Sequence, residues 1–176
     1  MTATTTAPAW RSATRVPYAA PLPAVDRLQA TAGDDGGWTV VARVAVDPRD
    51  PNLAGHFPGQ PIYPGVFVVE TLCQAMTQAV PGPPRLRTVT SIRFLAALLG
   101  GDEMELTLDV RPTTPAPSDP AAPTTPSDPA APTTPSDPAA PATSAPAGWQ
   151  VRGVARRTDG TVTAQLRAVF DAGADA

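Results

Sequence analysis

His56 and Cys73 are each the only residue of their kind in this chain, and Glu70 stands between them inside an otherwise apolar run. A neutral imidazole can take a proton. A carboxyl group held among apolar side chains can keep a proton and deliver it to a leaving group, whereas one that faces solvent only serves the first turn of its helix. His56 lies in Gly55-His56-Phe57-Pro58-Gly59, where two glycines and a proline fix the backbone and aim the side chain. A lone histidine can equally be a satisfied structural residue, so the residues by themselves leave both readings open. With one histidine and one thiol, ligands do not cluster and no metal site is expected.

The elements that would position these groups can be read from the pattern around them. The loop hands over at Pro64-Gly65 to Val66–Val80, which ends before Pro81-Gly82. Its Val-Phe-Val-Val start is β-prone, but a length of about 15 residues argues for helix. Apolar side chains occur on nearly all sides, the mark of a helix surrounded by protein. Gln74 is the polar neighbour of Glu70 at i+4, with Thr71 beside it.

Period-two alternation marks strands over Trp38–Val46, Leu86–Leu95, Met104–Val110, Trp149–Arg157 and Val162–Phe170, and a further strand can begin within Val25–Ala30. Gly33–Gly37 reads as a turn, and Thr158-Asp159-Gly160 as a hairpin. About five or six antiparallel strands and one buried helix give an α+β fold, with the sheet curved around the helix.

The chain of 176 residues is sized for one domain, yet its 24 prolines exceed the globular norm. The excess lies in 112–147, where Pro117–Thr125 reads Pro-Ser-Asp-Pro-Ala-Ala-Pro-Thr-Thr, Pro126–Thr134 repeats it, and Pro135–Thr143 repeats it with Ala142 for Thr. Such a composition offers almost nothing to bury and is expected to be a disordered insertion between two strands, or else a tether for a partner. Residues 1–14 and 171–176 are expected to be tails, leaving one domain over 15–170 around the insertion.

All 13 basic residues are arginine and the net charge is −3. Three of the 16 acids lie in the repeat, and without them acids and bases balance. That argues against a nucleic-acid binder. No apolar run approaches membrane-spanning length, and the start of the chain lacks the basic and apolar regions of a signal peptide, so a cytoplasmic protein is expected.

Gly55-His56-Phe57-Pro58-Gly59-x-Pro61-x-x-Pro64-Gly65-Val66-x-x-x-Glu70-x-x-x-Gln74 resembles the signature of the bacterial 3-hydroxyacyl-[acyl-carrier-protein] dehydratases of the hotdog fold. Tyr18–Arg27, Ile92-Arg93-Phe94 and Gly101-Asp102 resemble the family's flanking stretches more weakly. The resemblance implies a sheet wrapped around a central helix and a dimer, homodimeric or with another hotdog subunit. It implies composite sites in which His56 of one chain meets Glu70 of the other, with the Gly65 N–H receiving the thioester oxygen and Gln74 in support. Phe57, Tyr63 and Phe94 are candidates for the wall of an acyl tunnel, or for core.

The implied reaction removes water from a 3-hydroxyacyl thioester to give a trans-2-enoyl thioester. It needs no cofactor beyond the phosphopantetheine of the acyl carrier protein that brings the substrate. Where the family often has Arg/Lys-Pro after the strand's aromatic residue, this chain has Leu95-Ala96-Ala97, which leaves Arg85, Arg87 and Arg93 as candidate contacts for an acidic carrier. That departure and the repeat point to a polyketide or specialised-lipid pathway beside fatty-acid synthesis. Within the same fold, a non-catalytic or half-catalytic subunit of a heterodimer, an enoyl-CoA hydratase and a thioesterase are the alternatives.

Overall fold

A computed structural model of the chain describes residues 11–12, 22–54, 56–57, 59–113 and 146–173. The strands are β1 (Arg11–Ser12), β2 (Arg27–Ala32), β3 (Trp38–Ala45), β4 (Arg85–Phe94), β5 (Glu103–Thr113), β6 (Gly148–Arg157) and β7 (Val162–Asp171), and the helices α1 (Pro51–Ala54) and α2 (Gly65–Ala79). One antiparallel sheet runs in the order β1-β2-β3-β5-β6-β7-β4. The alternating strands bury one face only: Val40, Ala42 and Val44 of β3 stand beside Met104, Leu106 and Leu108 of β5, and Val151, Ala155, Leu166 and Phe170 continue the layer. Val68, Leu72, Ala75 and Met76 of α2 pack onto it, as a sheet curved around one helix requires. Among the described residues, no helix is long and apolar enough to cross a membrane.

The expected elements are present, and several boundaries move. Arg11–Ser12, expected inside the amino-terminal tail, pairs with Arg27 and Leu28. Pro112 and Thr113, expected to open the insertion, continue β5 opposite Trp149 and Gly148. At the other end of that segment the Ala147 N–H donates to the Thr113 carbonyl at 3.0 Å. The ladder therefore runs past the point where the composition turns proline-rich, because Pro112 sits near the strand's end, where a missing N–H costs least. Asp171, expected in the carboxy-terminal tail, closes β7. The nine-residue repeats themselves, at 117–143, lie outside the described residues. The short helix α1 is an addition, signalled only by Asp50, whose carboxylate accepts from the Asn52 N–H at 2.8 Å and fixes the first turn.

α2 begins without a side-chain cap. Pro64 is the N-cap residue with an extended backbone and no side-chain acceptor to offer; its carbonyl accepts the Phe67 N–H at 2.9 Å, and the Gly65 and Val66 N–H groups ahead of it remain open. Within the helix, Thr71 is fully buried and satisfies its hydroxyl on the Phe67 carbonyl at 2.9 Å. β4 has a largely exposed face along its whole length and lies at the edge of the sheet, next to β7 alone.

Candidate active site

The loop between α1 and α2 is held by backbone bonds to the segment that follows β4. Tyr63 N–H donates to the Leu98 carbonyl and Gly100 N–H to the Pro61 carbonyl, both at 2.8 Å, and Ile62 bridges Leu99. Within the loop, Gln60 N–H donates to the Phe57 carbonyl, and Gly59 adopts a φ of 79°, which favours glycine. Gly55 and Pro58 of the motif lie outside the described residues.

His56 is exposed, and its Nδ1 lies 3.2 Å from the Ile62 carbonyl oxygen. A carbonyl can only accept, so Nδ1 carries the hydrogen and Nε2 is left with its lone pair free, as a base requires. The Phe57 ring meets the imidazole edge-on at 4.6 Å and steadies it.

A pocket of about 520 Å³ opens beside this histidine, with Phe57, Tyr63, Gly65, Phe94 and Thr163 among its lining residues. The structure thus gathers five of the seven site residues read from the sequence. Phe57 and Phe94 stand about half exposed at the pocket, while Tyr63 is buried, and burial pushes its phenol up to about 12. Gly65 lies directly under the Phe94 ring: a Cβ there would come within 2.4 Å of Phe94 Cζ. Glycine is therefore what lets the ring close over the open end of α2, where the uncapped N–H groups and the helix dipole favour negative charge.

Glu70 and Gln74 lie outside this pocket. Glu70 is partly buried on a stripe of α2 shared with Val66, Val69, Cys73 and Thr77, the side of the helix that the sheet does not cover. Gln74 Nε2 donates to Glu70 Oε1 at 2.7 Å and to the Leu22 carbonyl at 2.8 Å, and its Oε1 accepts from the Ala24 N–H at 3.0 Å. With Oε1 of Glu70 engaged as an acceptor, a proton on that carboxyl resides on Oε2. The neighbouring Cys73 thiol is pushed up to about 11, chiefly by burial and secondarily by the Glu70 charge, so it stays protonated at neutral pH.

Sequence reasoning missed the far wall of the pocket, formed by Leu95–Leu98 together with Thr163 and Ala164. The Leu95 and Ala96 N–H groups both donate to the Thr163 carbonyl, at 2.8 and 3.3 Å. Ala155 pairs with Ala164 and Arg156 with Val162, so Thr163 is the extra residue of a bulge that brings 163 and 164 inward together. Strict alternation hides such a residue.

The ApeI-like family model, described as ApeI dehydratase, matches residues 32–117. The chain is 30% identical over 109 residues to the 3-hydroxyacyl-[acyl-carrier-protein] dehydratase FabZ of Thermomicrobium roseum, covering 58% of this chain and 71% of that protein. It is 36% identical over 106 residues to FabZ of Histophilus somni, covering 55% and 68%. Among solved structures, its fold resembles unliganded R-hydratase PhaJ1 from Pseudomonas aeruginosa, with a TM-score of 0.51 at 13% identity over 79% of this chain and 82% of that one. Spanning more than two thirds of these FabZ proteins at such identity, the chain belongs to the 3-hydroxyacyl-[acyl-carrier-protein] dehydratase family.

Proposed function

We propose that this protein eliminates water from 3-hydroxyacyl thioesters carried on an acyl carrier protein, with His56 as base, Glu70 as acid and the Gly65 N–H as the thioester-oxygen donor. The observation that carries this reading is the meeting, in one largely apolar pocket, of an imidazole with a free Nε2 and the uncapped start of α2. Nε2 takes the proton from C2, and the electron pair moves toward the thioester oxygen, where the Gly65 N–H meets the growing charge. That pair then forms the C2–C3 double bond as the C3–O bond breaks, and Glu70 Oε2 gives its proton to the departing hydroxyl, which leaves as water. His56 ends protonated and Glu70 ionised, so one proton transfer between them, through solvent or the product, resets the pair.

Glu70 reaches such a substrate only if it comes from a second chain. Its uncovered helix stripe and the open edge of β4 are the surfaces through which a second hotdog subunit would complete the site. The partner is a second copy of this chain in the simplest assembly, and a related subunit in the alternative one.

Purified protein is incubated with 3-hydroxydecanoyl-acyl carrier protein, and enoyl product is followed by mass. His56→Ala and Glu70→Gln are each expected to be inactive. Mixing and re-annealing the two variants is expected to restore about a quarter of wild-type activity, since half the dimers then carry one intact site. Turnover by either variant alone sinks the residue roles, and failure of the mixture to recover sinks the shared site. Activity that appears only when another hotdog protein is added selects the heterodimer.

A further inference from the structure

On the outer face of the sheet, away from α2, three arginines converge. Arg152 of β6 stands directly opposite Arg167 of β7, and β4 places Ser91 opposite Arg167 and Arg93 opposite Gln165. All three arginines are exposed and border one concavity of about 360 Å³. Directly opposed side chains on paired strands have Cβ atoms about 5 Å apart, so the Arg152–Arg167 pair repels in the free protein.

Other arginines of this sheet are paired: Arg27 with Glu103 and Arg43 with Glu105, both at 2.6 Å. Among the described residues no carboxylate lies within ion-pair distance of Arg93, Arg152 or Arg167. The acid opposite Arg152 on its other side, Asp109, receives the Arg111 Nε at 2.7 Å. A repulsive cationic cluster on a chain of net charge −3 is a local demand for an acidic partner.

Its position says which partner. Arg93 adjoins Phe94, which pairs with Ala164 of the pocket wall, so the cluster begins at the pocket's edge and ends about two strand spacings away, roughly 10 Å. Arg85 and Arg87, read from the sequence as further carrier contacts, sit at the opposite end of β4, about 20–30 Å away at strand rise. Arg87 there faces Asp171 at 3.9 Å. The exposed Leu95 and the alanines that follow Phe94 offer no charge at the strand's exit, so the basic surface is displaced inward onto β6 and β7.

We infer that Arg93, Arg152 and Arg167 form the docking face for the acidic carrier protein that presents the substrate, an inference that rests on the function proposed above. A second copy of the chain would bring the same arginines to this face and add to the repulsion.

The test compares wild type with Arg152→Ala/Arg167→Ala on 3-hydroxydecanoyl-acyl carrier protein and on 3-hydroxydecanoyl-pantetheine. For the carrier-bound substrate, KM is expected to rise about tenfold with kcat nearly unchanged, and the difference to shrink as salt is raised. Kinetics on the pantetheine thioester are expected to be unaltered. An unchanged KM for the carrier-bound substrate, or equal losses on both substrates, overturns the docking face. Binding of holo-acyl carrier protein to both proteins, measured by fluorescence anisotropy, separates the two readings. If neither substrate turns over, the proposed reaction fails, while a loss of binding in the double variant still supports the face and equal binding rejects it.

Discussion

The Gln74 side-chain amide ties Glu70 to the segment ahead of β2: one N–H reaches Glu70 Oε1 at 2.7 Å, another the Leu22 carbonyl at 2.8 Å, while Oε1 accepts from Ala24 at 3.0 Å. Gln74 is buried, so truncation would leave a buried carbonyl and N–H unpaired. Gln74→Ala is expected to cost about 2–6 kcal/mol, from about 1–3 kcal/mol for each of the two orphaned groups. It should also lower kcat more than it raises KM, because the Glu70 rotamer is released. Urea melts and steady-state kinetics check both, and a variant of wild-type stability would show that these bonds do not hold the segment.

The Phe94 ring over Gly65 makes a second prediction. In a helix Gly→Ala usually stabilises by about 1 kcal/mol, but here the new Cβ meets the ring at 2.4 Å. Phe94 is about half exposed and can rotate aside, at about 1 kcal/mol for a strained rotamer, so the melting temperature should hardly move. The displaced ring changes the pocket mouth, and kcat/KM should fall about tenfold or more. The loss should be smaller when Gly65→Ala is made on a Phe94→Ala background, as a double-mutant cycle would report. Equal losses on both backgrounds would mean that the methyl acts on the N–H geometry itself.

Strands β2 to β7, the helix α2 and the pocket residues His56, Phe57, Tyr63, Gly65 and Phe94 were legible because periodicity, one long motif and its flanking strand encode them locally. What was not legible depends on contacts distant in sequence. Thr163 enters the pocket through a bulge, and a bulge leaves no trace in a strand that otherwise alternates. Arg152 and Arg167 sit on alternating outward positions like any solvated pair, and only the register makes them neighbours. Pro112 looked like a strand terminator because the residue type, not its place at the ladder's end, was all that could be read. The separation of Glu70 from the His56 pocket follows from which side of α2 the sheet covers, and Val66 and Val69 on the uncovered side are as apolar as the buried ones.

Alkaline pH should destabilise the fold through Cys73 and Tyr63. Burial holds them up to about 11 and about 12, against ordinary values of 9.0 and 10.0. Both groups therefore lose their protons first in the unfolded chain, so the unfolded state binds fewer protons and stability falls with rising pH. Their contribution is intact below about pH 9 and is lost progressively up to about pH 12. Melting temperatures across that window should decline less steeply in Cys73→Ala/Tyr63→Phe than in wild type, and parallel curves would assign the decline to other groups.

The Thr163 hydroxyl is buried without a hydrogen-bond partner among the described residues, although its backbone carbonyl is doubly engaged by Leu95 and Ala96. An unpaired buried hydroxyl costs about 1–3 kcal/mol of desolvation that valine, equal in shape and equally suited to a strand, does not incur. Thr163→Val is therefore expected to raise stability by about 1 kcal/mol, a few degrees in melting temperature for a domain of this size. Because the methyl preserves the pocket's shape and the carbonyl that anchors Leu95–Leu98 is untouched, kcat/KM should stay within about twofold, a few tenths of a kcal/mol. A loss of stability would mean that the hydroxyl has a partner in solution, an ordered water being the first to seek. A loss of turnover with stability gained would make Thr163 a substrate contact in the wall that the bulge builds.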